Sequence, residues 1–205
     1  MRKEKLTAIS RRNFVGTTAK ALTGFLIVPR YVLGGKSPSG LLYTAPSDMI
    51  SLGFIGTGKQ GRGLTGSFLK TREARIVALS EVYSSKAQLT IDSIKTDYKT
   101  NPQLGTFSEM IVYNDFRELL ARKDVDAVVI ATPDHWHAAM AVRAAEAGKD
   151  IYCEKPLALT VKEGRAMVNA TRKYNRVFSN WQHATFLGRI SPHGRNDPER
   201  VYRRY

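Results

Sequence analysis

The chain has 205 residues, which suits one ordinary domain with a sizeable core and would make two complete domains cramped. Its formal net charge is +14, but residues 50–182 hold 19 basic and 14 acidic side chains, so the central segment is only mildly basic and we expect no nucleic-acid partner. The single cysteine, Cys153, excludes an intramolecular disulfide framework and any zinc site built from several cysteines.

Residues 1–33 have the layout of an export signal. A charged start precedes Ser10-Arg-Arg-Asn-Phe14, and an apolar stretch interrupted only by Lys20 follows. The pattern Ser-Arg-Arg-x-Phe resembles the twin-arginine motif, so we expect export to the periplasm by that route. The apolar stretch is too short for a membrane span. The alternatives to a cleaved signal are an uncleaved anchor, an amphipathic surface helix and a basic arm. Residues 34–49 are rich in turn formers and predict a linker.

A glycine-rich turn follows the first strand of the central segment. Ile50–Ile55 is a short apolar run of the buried-strand type, and Gly56, Gly58 and Gly61 come directly after it in a G-x-G-x-x-G pattern. In such turns the glycines permit a tight bend, close approach to a pyrophosphate and close packing of the next helix. We therefore predict that Gly56–Gly61, including Thr57 and Gln60, binds a dinucleotide at the N-terminus of a helix over residues 62–69.

An acidic residue ends the second predicted strand. Arg75–Ser80 is apolar and runs into Glu81, which lies 20 residues after Gly61. A carboxylate at this point can accept hydrogen bonds from the ribose hydroxyls of an adenosine and repels a 2′-phosphate. Glu81 therefore favours NAD over NADP, while Ser84, Ser85 and Lys86 just beyond it weaken that preference.

Strand and helix patterns continue to alternate along the chain. A helix over residues 83–97, a strand over Ile111–Tyr113 and a short helix over residues 116–121 are predicted, and Asp115 is placed to cap that helix. The next strand, residues 127–131, is continuously apolar and is predicted to be central. The alternation predicts an α/β fold with a doubly wound parallel sheet, the Rossmann fold.

Polar side chains gather after this central strand and after the one that follows it. Thr132, Pro133, His135 and His137 come at the carboxyl end of the central strand, which is the edge where open α/β sheets bind ligands. A helix is predicted over residues 137–147. His135 and His137 alone are too few for a metal site, and we predict none.

The last elements surround a Glu-Lys-Pro sequence. A strand over Ile151–Cys153 runs into Glu154-Lys155-Pro156. Thr160 and Glu163 form a capping box for a helix over residues 161–174, and residues 177–179 predict a sixth strand.

With its glycine turn, the polar residues after the central strand and the Glu-Lys-Pro sequence in this order, the sequence resembles the glucose-fructose oxidoreductase and inositol dehydrogenase family, often written Gfo/Idh/MocA. The resemblance covers residues 50–182 in the family's order and spacing. The matching stretches are Gly53–Gly61, Asp126–His137, Ala147–Pro156 and Trp181–Gln182.

The resemblance implies a function for several of these residues. Lys155 and His137 become the catalytic candidates, with Lys155 beside the nicotinamide and the substrate hydroxyl. Thr132, Pro133, His135 and Glu154 would line the cofactor site, and the family often makes the proline bond after the lysine cis. The implied reaction is hydride transfer between a sugar or cyclitol carbon and NAD, or less readily NADP.

The C-terminal tail departs from the family pattern. Family members continue with a second, α+β substrate domain whose Asp-x-x-x-His element supplies the expected proton acceptor. Residues 183–205 are an irregular, Arg-rich stretch without that element. We therefore expect a C-terminally truncated chain that lacks the substrate domain, and we do not assume a stable dimer, because family oligomers pair through the missing sheet.

Three functions stay open at this point. The first is an exported NAD-dependent sugar or cyclitol oxidoreductase, the second a glycosidase of the same fold that uses NAD for transient oxidation, and the third a non-catalytic dinucleotide-binding fragment. We expect NAD binding more firmly than turnover, because Lys155 alone leaves the acid–base chemistry incomplete.

Overall fold

The structure, a computed structural model, describes residues 48–180 together with the backbone of two short strands before them. These strands, β1 (Gly35–Lys36) and β2 (Leu42–Tyr43), pair antiparallel within the predicted linker. The predicted export signal, residues 1–33, and the predicted tail, residues 183–205, lie outside the described residues.

Six parallel strands form the central sheet: β3 (Ile50–Ile55), β4 (Ala74–Ser80), β5 (Ile111–Tyr113), β6 (Ala127–Ile130), β7 (Asp150–Cys153) and β8 (Phe178–Ser179). Their order across the sheet is β5-β4-β3-β6-β7-β8. Strand β3 pairs with β4 on one side and with β6 on the other. The chain therefore adds strands on one side of β3 first and on the other side afterwards. This is the doubly wound order of the Rossmann fold, which confirms the predicted fold class.

Five α-helices and one 3-10 turn, Pro102–Leu104, connect these six strands. Two predicted caps are confirmed: the Asp115 side chain accepts from the N–H of Arg117, and Thr160 and Glu163 form a reciprocal capping box. The helices are α1 (Lys59–Lys70), α2 (Ser84–Thr100), α3 (Phe116–Leu120), α4 (Asp134–Glu146) and α5 (Val161–Lys173).

Two helices begin earlier than the apolar periodicity predicts. The helix predicted from Arg62 begins at Lys59, so Gly61 lies inside its first turn. The helix predicted from His137 begins at Asp134, because Pro133 occupies the N-cap with a fixed φ of −57° and the Asp134 carboxylate favours the positive end of the helix. Apolar periodicity misses both starts because polar residues make up the first turns.

The sheet is covered on both faces, which explains the continuous apolar runs in β3 and β6. Every residue of both strands is buried. Leu52 and Phe54 pack with α1 and α2 on one face, whereas Ile55 and Val128 pack with α3, α4 and α5 on the other. Alternate side chains of a strand point to opposite faces, so one short strand supplies both cores.

Cys153 lies at the end of β7 and has no access to solvent. Burial raises the pKa of its thiol to about 12, and the neighbouring Glu154 carboxylate adds to the increase. We expect the folded protein to react with Ellman's reagent at pH 8 at least roughly a thousandfold more slowly than an exposed thiol, because the thiolate is the reactive form. The same sample in guanidinium chloride should release one equivalent, and rapid reaction of the folded chain would contradict the burial.

Candidate functional site

The site lies where the winding direction of the sheet reverses. Strands β3 and β6 are neighbours, and the loops after them lead to α1 and α4, which pack on opposite faces of the sheet. The two loops are in close contact: a Cβ placed on Gly56 would be 2.7 Å from the Ala131 carbonyl oxygen and 2.8 Å from Cγ2 of Thr132. Such a reversal point is the usual position of ligands in open parallel sheets.

Glycine is required at two positions of the turn after β3. Gly56 has a φ of +87°, a conformation that other residues rarely adopt, and its N–H donates to the Ser80 carbonyl of β4 at 2.9 Å. A Cβ on Gly61 would fall on the carbonyl oxygen of Gly56. These two glycines therefore allow the turn and the close packing of α1 against it.

Gly58 faces open space at the N-terminus of α1. A Cβ on Gly58 meets no atom of the described residues within 4 Å. No side chain hydrogen-bonds to the helix as a cap, and the first turn holds no acidic residue. The first N–H groups and the positive end of the helix dipole are thus available to an anion. This combination of donors and space fits the pyrophosphate of a dinucleotide.

Glu81 is buried at the carboxyl end of β4, next to the glycine turn. Its side-chain Oε2 accepts the N–H of Thr57 at 2.8 Å and the Thr57 hydroxyl at 3.2 Å. Its Oε1 accepts the N–H of Tyr83 at 3.0 Å. The predicted ribose ligand and the predicted pyrophosphate turn are therefore joined directly.

A second buried carboxylate, that of Glu154, lies at the end of β7. Its Oε1 accepts from Nε2 of Gln60 in α1 and from the Tyr152 hydroxyl, both at 3.2 Å, and its Oε2 accepts the N–H of Lys155, also at 3.2 Å. These bonds compensate for the burial of the charge. They connect the first turn of α1 to the Glu-Lys-Pro segment, where the Lys155 side chain is exposed at the carboxyl edge.

His137 joins the loops after β6 and β7. The imidazole is 1% exposed, with Nε2 at 2.8 Å from the Thr132 carbonyl oxygen and Nδ1 at 2.7 Å from the Pro156 carbonyl oxygen. The Lys155–Pro156 peptide bond is cis, as the family resemblance implies. Because both ring nitrogens face backbone carbonyls, the geometry favours a positioning role for His137 rather than proton exchange with a substrate.

Two other predicted residues lie at the edge of this arrangement. Pro133 and His135 are exposed at the start of α4, and the His135 ring lies beside that of Trp136, with centroids 5.9 Å apart. The structure also adds Tyr152 and Thr90, which the sequence analysis missed. Tyr152 lies within an apolar strand and Thr90 within a helix, so no local pattern marks them as partners of the site.

The described residues, 48–180, include neither a cluster of metal-ligating side chains nor a membrane-spanning helix. No group of three or more His, Cys, Asp and Glu side chains there is arranged to hold a metal ion. Within the same range, no helix combines the length and the hydropathy that crossing a bilayer requires.

The fold and this edge together define a dinucleotide-binding domain. Residues 50–181 match the Gfo/Idh/MocA family, described as an oxidoreductase family with an NAD-binding Rossmann fold. The chain belongs to this family.

Two curated relatives illustrate the similarity. A glycosyl hydrolase family 109 protein of Shewanella baltica is 31% identical over 177 residues, which are 80% of this chain and 37% of that protein. An alpha-N-acetylgalactosaminidase of Shewanella oneidensis is 32% identical over 168 residues, which are 76% of this chain and 35% of that protein. The chain thus spans little more than a third of the length of these relatives.

Solved structures show the same fold. An NAD-binding oxidoreductase from Klebsiella pneumoniae has 28% identity and a TM-score of 0.50, covering 65% of this chain and 34% of that one. A myo-inositol 2-dehydrogenase from Lactobacillus plantarum has 24% identity and a TM-score of 0.52, covering 65% and 36%.

Proposed function

We propose that the chain provides the NAD-binding domain of an oxidoreductase that transfers a hydride between the cofactor and a hydroxyl-bearing carbon of a sugar or cyclitol. The observation that carries this proposal is the turn at Gly58, where open space, unpaired N–H groups and the positive end of α1 meet. Family membership supports hydride transfer with NAD, and the sugar in the name of the Shewanella oneidensis relative supports the substrate class.

Different residues around the turn bind different parts of the cofactor. Gly58 and the first turn of α1 receive the pyrophosphate, and Glu81 accepts a ribose hydroxyl and disfavours a 2′-phosphate. The bound nicotinamide supplies the hydride acceptor. Lys155 is exposed at the carboxyl edge, where its ammonium group can hold the substrate hydroxyl and exchange its proton, while Glu154 fixes the backbone N–H of Lys155.

Direct binding measurements test this proposal. We expect the full chain to bind NAD in isothermal titration calorimetry and to bind NADP more weakly, because the Glu81 carboxylate repels the added phosphate. The absence of a heat of binding for both dinucleotides would contradict the proposal. Equal affinities would contradict only the NAD preference.

A second candidate function is hydrolysis of a glycoside with NAD as a recycled cofactor. The names of the two Shewanella relatives, which align with 80% and 76% of the chain, favour this alternative. Cleavage of p-nitrophenyl α-N-acetylgalactosaminide without net NADH formation would support it. Net NADH formation from a free sugar or cyclitol would support the oxidoreductase, and NAD binding without either reaction would identify a non-catalytic fragment.

We also propose that residues 1–33 direct the chain to the periplasm by the twin-arginine route. The Ser10-Arg-Arg-Asn-Phe14 pattern supports this proposal, as does a cofactor that must be loaded before export, since that route carries folded proteins. We expect replacement of Arg11 and Arg12 by lysine to keep the chain in the cytoplasm, as judged by fractionation. Replacing Arg30 by lysine is the control, and unchanged export of the double variant would refute the signal.

A further inference from the structure

The Glu81 carboxylate binds the protein's own glycine turn. Two of its three hydrogen bonds come from Thr57, which is fully buried, through the backbone N–H and the side-chain hydroxyl. The third comes from the N–H of Tyr83, just before α2. Hydrogen bonds to a charged acceptor are roughly twice as strong as neutral ones, so these contacts restrain both segments.

Thr57 is held from its other side as well. The hydroxyl of Thr90, a fully buried residue of α2, shares its single proton between the Thr57 carbonyl oxygen at 3.3 Å and the Lys86 carbonyl oxygen of its own helix at 3.0 Å. The residue between Gly56 and Gly58 is thus fixed at its N–H, its hydroxyl and its carbonyl. Since Gly58 follows directly, the direction of the N–H groups at the start of α1 depends on these bonds.

We propose that Glu81 is a positioning residue for the pyrophosphate site in addition to being a ribose ligand. This inference rests on the proposed NAD binding. A carboxylate offers about four acceptor sites, and three are used by Thr57 and Tyr83, so one on Oε1 is left for a ribose hydroxyl. Ribose selection and the shape of the phosphate turn therefore depend on one side chain. A substitution of Glu81 cannot convert the site from NAD to NADP without weakening the binding of both dinucleotides.

Glu81→Ser separates this inference from simple specificity. If Glu81 acts only at the ribose, by accepting a hydroxyl and repelling a 2′-phosphate, the variant loses affinity for NAD and binds NADP about as tightly as the unmodified chain binds NAD. If Glu81 also positions Thr57, calorimetry on the full chain should show that the variant binds both dinucleotides at least tenfold more weakly than the unmodified chain binds NAD. Glu73 is an exposed glutamate directly before the first residue of β4. Glu73→Ser is the matched control and should bind NAD and NADP like the unmodified chain.

Amide hydrogen exchange without cofactor provides an independent measurement. In Glu81→Ser the Thr57 N–H loses its acceptor, and its exchange should accelerate on the order of tenfold or more, whereas Glu73→Ser leaves it unchanged. Thr57→Val removes the hydroxyl and keeps the N–H, so it should weaken NAD and NADP by the same, smaller factor. If Glu81→Ser does not fold, Glu81→Gln, which keeps the size and one carbonyl acceptor, is measured in the same way.

The outcomes of the two measurements are distinguishable. Tight NADP binding by Glu81→Ser with unchanged Thr57 exchange would overturn the inference and leave the proposed function intact. Failure of the unmodified chain to bind either dinucleotide would overturn the proposed function, and Thr57 exchange would then still decide whether Glu81 holds the turn.

Discussion

Gly58→Ala is expected to reduce NAD affinity roughly a hundredfold while the domain stays folded. A methyl group at this position would occupy the space in front of the first N–H groups of α1, where the pyrophosphate is expected. Loss of about two hydrogen bonds to a charged group corresponds to about 3 kcal/mol, which is roughly a hundredfold in the dissociation constant.

The stability of this variant should change little. Gly58 has φ −61° and ψ −169°, which alanine adopts readily, and the new methyl group meets no described atom within 4 Å. The lower entropy of the unfolded chain stabilises alanine by about 0.4–1 kcal/mol, whereas alanine is a poorer N-cap than glycine by a similar amount. Calorimetric binding and urea unfolding of the same preparation therefore separate cofactor binding from folding.

Gly63 provides the matched control in the same helix. A Cβ at Gly63 also meets no described atom within 4 Å, but this residue lies in the exposed helix interior one turn beyond the site. Gly63→Ala should bind NAD normally and gain about 0.5–1 kcal/mol of stability from helix propensity. Gly61→Ala is less informative, because its Cβ would strike the Gly56 carbonyl and impair folding and binding together. Normal NAD binding by Gly58→Ala would place the cofactor elsewhere.

The fold was predictable because each strand of this domain has a local pattern. Buried parallel strands are continuous apolar runs, so β3 and β6 stand out from the polar segments around them. The capping box at Thr160 and Glu163 similarly needs only a four-residue spacing. Both are local features that neighbouring residues determine.

The internal contacts of the site could not be predicted in the same way. The bond between Gln60 and Glu154 spans 94 residues, and that between Thr57 and Glu81 spans 24. The sequence pattern identified Thr57, Gln60 and Glu81 as ligands of a cofactor, and the family resemblance added Glu154, but neither indicated that these residues bind one another. Which buried donors face which acceptors depends on how the loops meet at the sheet edge, and no periodicity records that geometry.

His137 is the clearest example of this limit. Its position after β6 and the family resemblance made it a catalytic candidate, whereas in the structure it lies between two backbone carbonyls with 1% exposure. A positioning histidine and a proton acceptor differ in what their removal does to folding, so the two roles can be separated experimentally.

His137→Leu is expected to lower the free energy of unfolding by about 1–2 kcal/mol, because whichever part-buried carbonyl, that of Thr132 or that of Pro156, accepts the imidazole N–H loses its donor. The exposed His135, two residues earlier in α4, is the control, and His135→Leu should stay within about 0.5 kcal/mol of the unmodified chain in urea unfolding. His137→Asn keeps one short donor near the position of Nδ1 and should recover about 1 kcal/mol of the loss. If His137 served as a proton acceptor alone, both leucine variants would unfold like the unmodified chain. The stability difference between them therefore measures how strongly this imidazole holds the loop after β6 to the segment that carries Lys155.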